Sequence, residues 1–145
     1  MNKVDELIRS SRELMLCSSV ISSEYASNYI KKAFERYQPF KINGHLSIGD
    51  KALKIPLESN EFSYSMFLNN EPVFVFFEQK GKERGQIFKL DEGVKICSVF
   101  ENAYGMEYFL SNEKLDYLIA VNWYVIEVTG YVPEQLETFF MLSHS

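Results

Sequence analysis

Residues 72–79 read PVFVFFEQ, and no other run constrains the fold as strongly. In a strand, Val73, Val75 and Phe77 point to one face and Phe74 and Phe76 to the other. A strand that is apolar on both faces has to be covered on both, which places it inside a sheet between packed layers. The surrounding pattern is consistent with that. Residues 2–16 and 23–37 carry apolar side chains at three-four spacing and read as two helices, with Ser22 and Ser23 available to cap the second and Pro39 to stop it. From about residue 45 the period changes to two. KALKIPL reads as an edge strand, because Pro56 lacks an amide for a second neighbour. Residues 62–68 read as a strand with one wet face. QIFKL follows PVFVFFEQ across a charged hairpin, and the segment CSSVISS before the second helix reads as a connector.

Residues 94–105 fit a short helix or a strand equally well. MEYFLS and NWYVIEVTG are strand-like, and EKLDYLIAV between them is undecided. PEQLETFFML opens with a proline suited to a first helical position and sets Leu136, Phe139 and Phe140 on one side. The expected fold is α+β: one domain over residues 1–145, with a mainly antiparallel sheet, two N-terminal helices and a C-terminal helix packed on it. A hydrophobic fraction of 46% with 24% charged residues is that of a chain with a packed core rather than a disordered one.

Charge is uneven. From Phe100 onward there are seven acidic residues and one base, Lys114, whereas the preceding part is nearly balanced within a net charge of −5. An acidic end disfavours nucleic acid and favours a basic protein as partner. No segment has the length and apolarity of a membrane span, and the charged N-terminal stretch does not read as a signal peptide, so a cytoplasmic location is expected. Cys17 and Cys97 sit in apolar settings and read as buried, reduced thiols.

Groups for chemistry are few. His45 and His144 are the only histidines, no cysteine or histidine spacing suits zinc, no glycine loop suits phosphate, and no cofactor is implied. A Cys97–His45 nucleophilic pair would need an adjacency that spacing does not supply. Glu78, Glu107 and Glu127 fall on strand-like segments, and Glu107 with Glu127 would carry the alternative reading, a small hydrolase using strand-borne carboxylates. The preferred reading is a non-enzymatic protein-binding module. Asn122, Trp123 and Tyr124 place the only tryptophan beside a tyrosine in an acidic region that includes Glu107, Glu127, Glu134 and Glu137, and Trp and Tyr dominate interface hot spots. Within one strand, Trp123 and Tyr124 would face opposite ways.

The strand PVFVFFEQ, the strand and turn QIFKLDEG and the late helix PEQLETFFML together resemble the SUKH superfamily over the C-terminal half of the chain. That superfamily includes fungal glucan-synthesis regulators and bacterial immunity proteins against secreted toxins. The resemblance implies a non-enzymatic protein that binds another protein.

Overall fold

A computed structural model describes residues 2–42, 44–49 and 52–143; His144, considered above, lies outside the described residues. The chain opens with α1 (Lys3–Glu13), whose first turn is capped by the Asn2 side chain accepting the Asp5 amide at 2.7 Å. It continues through β1 (Ser18–Ile21), α2 (Glu24–Tyr37), β2 (Phe40–Ile42), β3 (His45–Ser47) and β4 (Leu53–Pro56). Then come β5 (Val73–Phe76), β6 (Ile87–Leu90), α3 (Ile96–Glu101), β7 (Tyr108–Ser111), β8 (Tyr117–Val121), β9 (Val125–Gly130) and α4 (Glu134–Ser143). Seven strands form one antiparallel sheet in the order β1-β6-β5-β7-β8-β9-β4, and β2 pairs with β3 as a separate hairpin. The α+β architecture is as expected.

β5 is the third strand from one edge and fully buried. Val73, Val75 and Phe77 join one apolar cluster with Val4 and Leu7 of α1, Val99 of α3 and Leu136 and Phe140 of α4. Phe74 and Phe76 join another with Tyr29, Ile30 and Ala33 of α2 and Leu46 of β3. The opening helices therefore lie on opposite faces: α1, α3 and α4 cover one, and α2 with the β2–β3 hairpin covers the other.

Several segments depart from the sequence reading. The CSSVISS connector contains β1, an edge strand whose Ser18 pairs with Leu90 and Ile21 with Ile87. Cys17, just before it, is exposed and not buried; only Cys97 is buried. Residues 62–68 do not extend: Tyr64–Phe67 is a short 3-10 turn. The amides of Ser63 and Tyr64 donate to the Asn60 carbonyl at 3.2 and 3.1 Å, Met66 to Ser63 at 3.2 Å and Leu68 to Ser65 at 3.0 Å, so local turn bonds use the amides that a ladder would otherwise take. Tyr64 and Leu68, four apart, are the buried members, while Met66 stands exposed. Residues 94–105 contain the helix, α3, and EKLDYLIAV contains the interior strand β8. α2 ends at Tyr37, where Gln38 turns left-handed (φ 47°) and gives its amide to the Phe34 carbonyl ahead of Pro39.

Candidate functional site

At one end of the sheet β5 and β8 finish while β7 and β9 begin, as the pairs Phe76 with Phe109, Tyr108 with Val121 and Val121 with Ile126 show. Phe109, Leu118 and Ala120 face the hairpin side. Period two then brings Glu107, Asn122 and Glu127, the last directly opposite Ala120, onto that same face. The sequence marked all three as polar residues at strand positions but did not show what they meet.

They meet the free edge of β3. Leu46 donates its amide to Glu107 Oε1 at 3.0 Å and Ile48 donates its amide to Glu127 Oε1 at 2.7 Å. Between them, Asn122 Nδ2 donates to the Leu46 carbonyl at 2.9 Å. Amides two residues apart point to one edge of a strand, so three sheet side chains satisfy the edge that β2 leaves unpaired. Ser47 Oγ adds a bond to Glu127 Oε1 at 2.9 Å, and Lys54 Nζ lies 3.8 Å from the other oxygen. Glu127 is 3% exposed. A buried carboxylate is tolerable there because it is paired and hydrogen-bonded.

His45 Nδ1 lies 2.5 Å from Glu107 Oε2, across 62 positions of sequence. The His45 ring also receives Tyr124 edge-on, with centroids 5.0 Å apart at 90°. Asn122 has a second task. Its Oδ1 accepts the amides of Tyr124 at 2.8 Å and Val125 at 3.0 Å, folding residues 122–125 into a tight turn. Trp123 and Tyr124 thus sit in a turn and not in one strand. Both are exposed, at 48% and 70%. The indole lies against Gly105, where an added Cβ would come within 2.9 Å of a ring atom.

The result is an aromatic corner over a groove of about 220 Å³, lined by Lys3, His45, Glu78, Met106, Glu107 and Trp123 among others. Glu78 is held below its ordinary range chiefly by a hydrogen bond from Lys41, at 3.0 Å, and further by Lys80. Lys3 Nζ is 3.9 Å from Glu83.

Not every residue singled out in the sequence comes here. Asn122 and Glu127 are buried supports of the corner and the hairpin. Glu134 and Glu137 occupy the first turn of α4, whose buried residues belong to the opposite face of the sheet. Cys97 also belongs to that opposite face, away from His45, with its thiol pushed up to about 11 by burial and hydrogen-bonded to the Glu61 carbonyl at 3.4 Å. The Cys97–His45 pair does not form. Among the described residues no group of three or more His, Cys, Asp or Glu side chains is placed to hold a metal, and no helix is long and apolar enough to cross a membrane. Gly105 was missed as a site residue, and His45 was weighed only as a partner of Cys97. A lone histidine after a turn, and a glycine eighteen positions before the tryptophan it supports, carry no local signal of their pairing. No protein-family model matches the chain, and neither a curated protein nor a solved structure matches it.

Proposed function

We propose that the protein is a non-enzymatic binding module that holds a basic protein partner through the aromatic corner of Trp123 and Tyr124. The observation that carries this reading is the exposure of both rings in a turn whose geometry is fixed from beneath by Asn122. Aromatic side chains held in position before binding lose little freedom on association, which is what an interface anchor requires. The resemblance to the SUKH superfamily supports a regulatory or immunity role for such a module. A cytoplasmic setting and a basic partner are parts of the same proposal, the second motivated by the Glu107 carboxylate that lines the groove beside the corner.

The hydrolase reading has less support. Glu107 and Glu127 receive the amides of Leu46 and Ile48, and a substrate would reach the buried Glu127 only if the hairpin lifted. The binding reading is tested by immobilising the wild-type protein and the double variant W123A/Y124A and capturing protein from the native cell. A partner retained by the wild type and released by the variant supports it. No partner, or one held equally by both, overturns it.

A further inference from the structure

We infer that the groove at the end of the sheet receives one arginine side chain of the partner, stacked on the Trp123 indole and paired with the Glu107 carboxylate. This rests on the binding reading above and names the chemistry at its centre.

Size comes first. About 220 Å³ is below the roughly 300–1,000 Å³ of ordinary small-molecule pockets and suits a single inserted side chain. Charge comes next. Glu78 has two permanent cations, Lys41 and Lys80, and Lys3 has Glu83. Among the described residues, the ion-pair partner of Glu107 is His45, which carries charge only when protonated. Glu107 is, among the described residues, the carboxylate lining this groove that has no lysine or arginine paired with it. Its side chain is also 13% exposed, so part of its hydration is already gone. An uncompensated and partly desolvated carboxylate attracts a cation and repels an anion.

Geometry then favours a guanidinium. Glu107 Oε1 accepts the Leu46 amide and Oε2 faces His45, but each carboxylate oxygen has a second lone pair. A planar fork can reach both oxygens while its face lies on an indole, and an ammonium can do only one of these well. The Cζ3–Cη2 edge of the Trp123 ring comes close to Gly105, which has no Cβ to push it away, and about half of the side chain stays exposed for a cation to stack on. An apolar side chain in the same place would strip water from Glu107 and return nothing to it.

Trp123 is the only tryptophan, so its emission reports this groove alone. The probe is a blocked Gly-Arg-Gly tripeptide titrated into the intact protein, with the neutral isostere Gly-citrulline-Gly as control. The expected result is a saturable change in emission in the millimolar range, with citrulline weaker by about tenfold or more. E107Q keeps an acceptor for the Leu46 amide but loses the charge, and should weaken the arginine peptide by about tenfold. Should that variant loosen the hairpin, the arginine–citrulline comparison on the wild type decides alone. Emission indifferent to the arginine peptide, or equal binding of citrulline, overturns the inference. If a partner is still captured through Trp123 in that case, the arginine site fails and the wider reading stands. If the tripeptide binds but no partner is captured, the wider reading fails and the site stands.

Discussion

Ile48 gives its backbone amide to Glu127 Oε1 at 2.7 Å, across 79 positions of sequence, and so fastens the β2–β3 hairpin to the centre of β9. The same oxygen takes the Ser47 hydroxyl at 2.9 Å. Glu127→Ala leaves both donors without their partner, and should cost about 1–3 kcal/mol for each group that stays desolvated. Urea denaturation reads the loss. Amide exchange locates it: Ile48 should exchange faster in the variant while β8 amides keep their protection. Unchanged exchange at Ile48 would show that the carboxylate does not hold the hairpin.

Phe76 touches the rings of Tyr29, Phe34 and Phe109 beneath α2 and is fully buried. Phe76→Ala should lower stability by about 3–5 kcal/mol through lost burial and the cavity left behind. A denaturation midpoint equal to wild type contradicts this placement.

That prediction starts from the part of the fold most legible in the sequence. PVFVFFEQ could be read because burial on both faces leaves no polar position, and one residue type serves any covering layer. The segment at 62–68 misled for the complementary reason. Phe62, Tyr64, Met66 and Leu68 alternate perfectly, yet Phe62 and Met66 are exposed, and only the structure shows that the buried pair is spaced as in a helical turn. β1 was illegible because its serines are ordinary connector residues until β6, far along the chain, supplies the ladder. The site was half legible. Polar residues at strand positions drew attention to Glu107, Asn122 and Glu127, but their partner is a hairpin about 60–80 positions away, and no local pattern encodes that docking.

Glu6 links α1 to the loop beside the corner. Arg9 donates to both its oxygens, at 2.9 and 2.7 Å, and Tyr104 donates its amide at 3.0 Å. The Arg9 hydrogen bonds, ahead of the Tyr104 amide, hold this carboxyl below its ordinary value of 4.5. A carboxyl depressed in the folded state contributes stability above 4.5 and loses it as the pH falls through the lowered value. Glu6→Gln should therefore be less stable than wild type near neutrality, and the gap should close on acidification below 4.5. Melting temperatures against pH check this; a gap that widens in acid contradicts it.

Gly93 is buried, and a Cβ there would collide with the Glu71 carbonyl and meet Val73 at 2.6 Å. Because backbone blocks the space, Gly93→Ala should cost about 1–3 kcal/mol, as overpacking does. Gly105→Ala meets only the Trp123 indole, which can swing away, so it should shift tryptophan emission with little change in melting temperature. Equal stability losses in the two variants would contradict the difference between a rigid and a movable neighbour.

The most direct test of the binding corner is the kinetics of the captured partner against wild type, W123A and E134K/E137K. Truncating the indole should raise the off-rate by about 30-fold or more and leave the on-rate nearly unchanged, since anchors hold a formed complex. Reversing Glu134 and Glu137 should do little, because the buried residues of α4 pack on the face of the sheet opposite the β2–β3 hairpin, and exposed charges that are not in contact are screened by salt. An off-rate untouched by W123A, with binding abolished by the α4 reversals, would contradict the account and move the interface to the other face.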